Sequence, residues 1–426
     1  MDADAHINST TELPVQVVIF GGGIAGLWLL DQLVHQGYSA ILLEANSLGS
    51  GQTIASQGII HGGLKYTLQG MLTRSAASIR EMPGIWKASL RGDQSPDLSE
   101  TPLRSESCYL WRTDSLRSRM GMIGARVGLR VAPTTLDETA RPAVLEHCPG
   151  TVAQLEEQVL SPAGLLQNFL NLHRDRLLKI NSNTGLDFKL DAEGVLKEIH
   201  LTSPIEGGRL SLQPEQVVFT AGQGNIPLRA QCGLSTTVGQ ERPLHMVMVR
   251  GPLPWLNGHC VDGAKTRVTI SSEKTSNGET LWQLGGQIAE LGVAMQREQL
   301  LPFAIEELQQ AIPGIDLKGT AWSSYRVNRA EPVTPDGKRP DHAFVINDKN
   351  IWTAWPTKLA LAPQLSDILL PQLTSRLAAP RKVESTELLP LVATWPRPEV
   401  ASYPWEDKSD WSSYAELTTL KSKRAA

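Results

Sequence analysis

Three glycines, Gly21, Gly23 and Gly26, stand in a G-x-G-x-x-G pattern, and an acid, Glu44, follows them. Residues of these types at this spacing can bind a dinucleotide. The first glycine lets the chain turn tightly, and the second lets the backbone approach a pyrophosphate. The third lets a helix pack closely on a strand. Ile24 and Ala25 fall in the first helical turn, where amides and dipole would face the phosphates. Glu44 stands where a carboxylate would accept hydrogen bonds from ribose hydroxyls.

These residues need a frame, and the flanking pattern supplies one. Val15, Val17, Val18, Ile19 and Phe20 form a short apolar run suited to a buried parallel strand. Residues 24–36 carry Leu27, Leu30, Leu33 and Val34 at helical spacing, with Gly37 beyond their end. Residues 40–43 make a second strand that ends in Glu44. Strand, glycines, helix, strand and acid in this order predict a βαβ unit holding an adenine dinucleotide. The plainer alternative is a glycine-rich turn in an unrelated α/β protein.

A chain of 426 residues can bury two or three cores, which predicts a two-domain enzyme. With 41% apolar and 20% charged residues it reads as soluble and globular. The net charge of −4 offers no basic field for nucleic acid. No apolar run approaches the ~18–20 residues of a membrane span. Residues 1–14 are polar and acidic, unlike a secretory signal or transit peptide, and read as a flexible arm. Cys108, Cys148, Cys232 and Cys260 are scattered, with no C-x-x-C and no metal-ligand spacing. They are expected to be reduced thiols, with no metal site, in a cytoplasmic protein.

After Glu44 the chain spends some twenty residues on Gly, Ser, Thr and Gln before His61-Gly62-Gly63-Leu64-Lys65-Tyr66. This stretch resembles the FAD-dependent D-amino-acid oxidase superfamily. The nearest echoes are its glycerol-3-phosphate dehydrogenase and L-2-hydroxyglutarate oxidase branches, which carry I-H-G/A-G-hydrophobic-x-Y after the ribose acid. The resemblance implies FAD as cofactor. It implies that Ala45, Ser50, Gly51, Thr53, Ser56 and Gln57 line it, with His61, Gly62 and Gly63 beside the isoalloxazine ring. His61 could orient substrate, act as base or acid, carry a covalent flavin link, or serve as a hydrogen-bonded supporting histidine.

Further landmarks carry the resemblance over residues 14–372. Residues 157–170 resemble the segment that returns from the substrate domain and opens a long helix. Residues 214–225 hold a strand ending in Ala221-Gly222, which would close over the cofactor. Thr334-Pro335-Asp336-Gly337 resembles the turn before the last cofactor strand, and residues 352–358 lead into a helix from Leu359. That placement implies Thr357, Lys358 and Leu359 at the flavin pyrimidine edge. Helix amides there would stabilise negative charge on reduced flavin. Lys358 would add a full charge, or else stand solvated in a loop.

The implied fold is α/β, with a Rossmann-like FAD-binding domain built from discontinuous segments and an antiparallel-sheet substrate domain. Residues 15–70, 151–235 and 320–373 are expected in the first, and residues 71–150 and 236–319 in the second. Residues 107–112 read as a strand, 116–128 and 301–316 as helices, and Asn277-Gly278 as a hairpin turn. His245 lies on an expected strand of the substrate sheet and could face the cavity or simply hydrogen-bond within the sheet. Arg326 and Arg329 precede the T-P-D-G turn, near where superfamily members place a carboxylate-binding arginine. The residue before Pro332 is Glu331 instead, so a carboxylate clamp is not implied. Residues 374–426, rich in Pro and Trp, read as an irregular strap or a partner-binding arm.

The leading expectation is an enzyme that removes a hydride from a carbon bearing OH or NH in a small polar substrate, with His61 or His245 as base. Oxygen, a quinone or an electron carrier would recycle the flavin. The H-G-G-L-K-Y run leans toward a hydroxyl substrate. Other readings are an amine oxidase of the same superfamily, an FAD-containing subunit of a redox assembly, and an NAD dehydrogenase. The protein could also sit peripherally on the inner face of a membrane, or dock a protein through its C-terminal extension.

Overall fold

The computed structural model describes residues 11–62, 74–113, 134–205, 208–262, 265–337, 340, 342–381 and 393–425. Gly63, the Leu64-Lys65-Tyr66 end of the histidine motif and the helix expected at 116–128 lie outside the described residues.

Strand β1 (Thr11–Phe20) is followed by helix α1 (Ile24–His35) and strand β2 (Ala40–Glu44). Both strands are buried on two faces, as parallel strands between layers must be. Val17, Ile19 and Leu42 join the core beneath α1. Val18, Phe20, Ile41 and Leu43 point the other way into a second core. The period of two along each strand divides these apolar runs between two layers. β1 begins earlier than its apolar run, because Leu13 is buried and residues 11–14 pair with Leu210 through Gln213. Those four residues are strand, not arm.

β1 is central in a largely parallel sheet. The order is Phe344–Asp348, Ile351–Trp355, Arg209–Phe219, β1, β2, Leu177–Lys179. Strands distant in the chain thus lie side by side. A second, mostly antiparallel sheet is built from Gly239–Gly251, Gly258–Asp262, Lys265–Lys274, Thr280–Gly285 and Ala321–Pro332, extended by Cys108–Arg112 and Val152–Leu155. The α/β expectation with a discontinuous cofactor sheet and an antiparallel partner holds.

Two segments fall on the other side of the expected seams. Val152–Leu155 and Ala321–Pro332 belong to the second sheet. The latter pairs along its whole length with Gly239–Gly251, from Ala321 opposite Arg250 to Pro332 opposite Gly239. The hairpin at Asn277-Gly278 forms, with Gly278 at φ +83°. Helix Arg297–Ala311 starts earlier than its apolar pattern because Gln296 and Gln299 form a reciprocal capping box. It stops before Pro313, which disfavours helical geometry at Ile312. Its Leu300, Leu301, Ala304 and Leu308 cover one face of the second sheet.

The C-terminal segment is built into the body. Trp395 is buried in the core behind the parallel sheet and its Nε1 donates to the Lys179 carbonyl. Leu48 exchanges backbone hydrogen bonds with Glu399 and Ala401. Ser412–Ser413 then adds to the edge of the second sheet, and helix Tyr414–Ala425 follows. Among the described residues no helix is long and apolar enough to cross a membrane.

Candidate active site

A cleft of about 1200 Å³ runs between the two sheets. At one end β1 turns sharply into α1. Gly21 has φ +103°, and a Cβ there would meet Ala221 Cα at 2.5 Å. A Cβ on Gly26 would overlap the Gly21 carbonyl oxygen. Gly26 therefore lies beneath the turn, while Gly21, Gly23, Ile24 and Ala25 line the cleft. Glu44 and Ala45 line it beside them. The Glu44 carboxylate accepts the Gly22 amide at 2.6 Å through one oxygen and the Asn46 amide at 2.6 Å through the other. Burial raises its pKa, opposed by those two amides and by Lys179.

The small-residue run forms the next wall. Ser50, Gly51, Thr53, Ser56 and Gln57 all line the cleft. Thr53 Oγ1 accepts the Ile24 amide at 3.2 Å, joining the run to the start of α1. Gln57 Nε2 donates to the carbonyls of Thr269 and Gln283, both at 3.0 Å. The Ala55 carbonyl accepts Tyr325 Oη at 3.0 Å. These bonds tie the run to the antiparallel sheet. Ala221 and Gly222 face it from the end of Arg209–Phe219.

Thr357, Lys358 and Leu359 also line the cleft, after Ile351–Trp355 and before the helix Ala362–Thr374. A short 3-10 turn, Leu359–Leu361, comes first. Thr357 holds φ +62°, unusual for a β-branched residue, and the strain sits where the chain turns toward the cleft.

Deeper in the cleft His61, Glu157 and His259 converge. Glu157, just after Val152–Leu155, accepts the Gly62 amide at 2.6 Å through Oε1. Its Oε2 lies 3.6 Å from His61 Nδ1 and 3.5 Å from His259 Nε2. His259 Nδ1 is 3.1 Å from Thr269 Oγ1. Glu157 and His259 are buried, while the His61 side chain opens onto the cleft with 46% exposure. Protein packed around His61 lowers its pKa by desolvation, against the pull of Glu157. Desolvation opposes charge on Glu157, but the two imidazoles hold its pKa well below the usual carboxylate range. One ligand-type atom from each residue lies within 4.8 Å of the others, a grouping with metal-ligand composition that cysteine and histidine spacing did not reveal.

Arg329 reaches the cleft, and its Nε donates to the Arg242 carbonyl at 3.3 Å. His245 and Arg326 are not brought there. His245 is buried among the Gly292 and Met295 carbonyls and Ser324 Oγ, at 3.1, 3.3 and 2.9 Å. Arg326 donates to the carbonyls of Val293 and Met295. Glu331, standing where relatives were expected to carry arginine, is fully buried and pairs with Arg242 at 3.1 Å. All four cysteines are buried and unbridged, and burial raises each thiol pKa, that of Cys148 to about 11.

Sequence reading missed Glu157 and His259 as site residues, along with Ala401, Ser402 and Asp407 of the C-terminal strap, which also line the cleft. Glu157 lies in a segment recognised only as a return to the cofactor sheet. His259 sits in a short strand with no motif of its own.

Residues 16–354 match the family model described as FAD dependent oxidoreductase, DAO. The chain belongs to this family. It is 36% identical over 399 residues to a probable FAD-dependent oxidoreductase of Pseudomonas aeruginosa, covering 92% of this chain and 98% of that one. The crystal structure of the FAD dependent oxidoreductase from that organism superposes with a TM-score of 0.76 at 33% identity, over 93% of this chain and 99% of that chain. Similarity extends to an alpha-glycerophosphate oxidase of Streptococcus pyogenes, 22% identical over 76% of this chain and 58% of that protein. Glycine oxidase from Geobacillus kaustophilus shares the fold, with a TM-score of 0.59 at 17% identity over 87% of this chain and 98% of that one.

This FAD-dependent oxidoreductase has a cleft that fits its cofactor. The volume exceeds the ~300–1,000 Å³ of an ordinary small-ligand pocket. A Cβ on Gly23 would meet only Thr53 Oγ1, at 3.4 Å, so the backbone there is open to close approach by a bound group. Ser56 Oγ is buried without a hydrogen-bond partner, a polar atom that a bound group would satisfy. Gly21, Gly23, Ile24, Ala25, Glu44 and Thr53 line the end of the cleft where β1 turns into α1.

Proposed function

We propose that the enzyme oxidises a CH–OH group of a small polar substrate. The observation that carries this reading is His61, which opens onto the cleft while its Nδ1 faces the buried Glu157 carboxylate. Desolvation lowers its pKa, so near pH 7 the ring is neutral and can accept a proton. FAD, held along this cleft, would supply the hydride acceptor. The substrate hydroxyl gives its proton to His61 Nε2 as the carbon–hydrogen electron pair leaves and a carbonyl forms. Lys358 and Arg329 add positive charge to the same walls, which supports a substrate or product of negative or strongly polar character. Oxygen, a quinone or an electron carrier would take up the two electrons.

A second reading, oxidation of a CH–NH group, draws on a different feature. Glu157 stays ionised in the cleft, and a fixed negative charge there suits an ammonium group. Anaerobic bleaching of the flavin absorbance separates the two. Glycerol 3-phosphate and 2-hydroxy acids would be compared with sarcosine and D- and L-amino acids. Bleaching by a hydroxyl compound alone supports the first reading, and bleaching by an amine alone replaces it with the second. A yellow protein that none of them reduces would turn the assignment to a substrate outside these classes or to an electron-relaying role within an assembly.

A further inference from the structure

Glu157 lines the cleft wall with His61 and His259. It is buried, and only one of its oxygens has a hydrogen-bond donor, the Gly62 amide. The other oxygen is buried without a hydrogen-bond partner, yet two imidazole nitrogens face it at 3.5 and 3.6 Å. A buried carboxylate oxygen left without a donor is strongly destabilising. A nitrogen lone pair facing the carboxylate at this distance would be repelled by it, so each of the two facing nitrogens carries a hydrogen. Such contacts are often long without substrate and tighten in the complex.

That requirement fixes both rings. His259 Nε2–H then points to Glu157, and its Nδ1 accepts from the Thr269 hydroxyl at 3.1 Å. His61 carries its hydrogen on Nδ1, which leaves the Nε2 lone pair for the cleft. An imidazole with the opposite tautomer would present N–H to the cleft and could not take a proton there.

We propose that Glu157 is the positioning residue of this site, selecting the His61 tautomer that can act as base, while His259 completes the same carboxylate. The proposal rests on His61 being the base of the oxidation. Among the described residues, the charged and titratable groups that act on His61 are Glu157 from the segment after Val152–Leu155, His259 from Gly258–Asp262, and Lys358 from the turn after Ile351–Trp355. Cys108, from Cys108–Arg112, is close enough to feel the Glu157 charge, and burial keeps its thiol protonated. Glu157 favours the protonated form of His61, while desolvation and the Lys358 charge disfavour it.

Glu157→Gln is the informative change. Glutamine keeps an oxygen for the Gly62 amide but places an NH₂ where Oε2 stood. His61 would then accept at Nδ1 and carry its hydrogen on Nε2. Flavin reduction should slow at least about 100-fold, the scale seen when a catalytic imidazole is held in the wrong tautomer. The acid limb of the reduction rate should move to lower pH in Glu157→Gln, which loses the carboxylate that favours protonated His61, and to higher pH in His259→Asn, which leaves that carboxylate to His61 alone; mere loosening of the fold would not produce opposite directions.

The decisive readout needs no substrate. Nitrogen NMR of the FAD-loaded protein labelled in histidine reports which ring nitrogen carries hydrogen, and His61→Asn assigns the signal. Nδ1–H on His61 and Nε2–H on His259 in the unaltered protein, with His61 inverted in Glu157→Gln, is the expected result. Nε2–H on His61 in the unaltered protein overturns the proposal even if neither variant folds. A spectrum that changes on adding a chelator would assign the three side chains to a bound cation and overturn it as well. If the tautomers are as stated but no hydroxyl compound reduces the flavin, the proposed reaction fails and the positioning role stands.

Discussion

The hydroxyl of Tyr403, in the C-terminal strap, donates to Glu273 on the antiparallel sheet at 2.9 Å. The same oxygen accepts from Arg104 at 2.9 Å and from the Ala163 amide at 3.2 Å, and lies 2.9 Å from Ser161 Oγ. The Tyr403 ring stacks on Trp405 with centroids 4.3 Å apart. A single phenol therefore joins the strap to Arg104, Glu273 and the start of helix Pro162–His173. Just before it, Ala401 and Ser402 form part of the cleft wall.

Tyr403→Phe keeps the stacked ring and removes the shared oxygen. The buried Arg104–Glu273 pair loses a partner, so unfolding should cost about 1–3 kcal/mol less. Denaturant unfolding of the FAD-loaded protein measures this. No change in midpoint would show that the strap is held by packing alone.

Gly23 and Gly26 should fail in different ways. Gly23→Val places a branched side chain in the pyrophosphate space, without a clash against backbone, so the protein should fold but carry no FAD. Gly26→Ala drives a methyl into the Gly21 carbonyl and should lower stability itself. Flavin absorbance and circular dichroism distinguish the two. Normal flavin content in Gly23→Val would mean that the dinucleotide lies elsewhere.

The reduction rate should depend on pH through His61. A base works when deprotonated, and desolvation lowers the pKa of this ring below histidine's ordinary 6.5. The rate should therefore be level above neutrality and fall on acidification, with its midpoint below 6.5. Rapid-mixing reduction across pH 5 to 9 tests this (about that interval is needed to define both the plateau and the limb). A midpoint above 7 would remove His61 from the role of base.

Lys358→Ala should slow flavin reduction at saturating substrate by about tenfold or more, with little change in half-saturation. The reason is placement: the residue lines the cleft immediately before the turn and helix that follow Ile351–Trp355. A charge acting on the reduced flavin affects the reaction more than the binding. An unchanged rate would assign the ammonium group to solvent.

Much of the glycine turn at one end of the cleft was legible in the chain itself, because its signals are local. A tight turn, a close backbone approach and a helix packed on a strand each demand glycine, and Gly21, Gly23 and Gly26 fall within six residues. The apolar runs of β1 and β2 declare burial on both faces without any knowledge of what covers them. The I-H-G-G run and the T-P-D-G turn added the family, since both are short and continuous.

What the tertiary structure decided is everything made by pairing across distance. Nothing near Glu157 in the chain announces two histidines, which arrive from the end of the small-residue run and from Gly258–Asp262. His245 looked as eligible as His61, but the sheet register turns its ring into carbonyls of Gly292 and Met295 instead of the cleft. The tail's prolines and tryptophans hid a structural segment whose order comes from contacts with Lys179, Leu48 and Glu273 and not from its own backbone pattern. Local backbone requirements leave a mark at each residue they constrain. A carboxylate shared by two distant rings leaves none until the sheets bring them together.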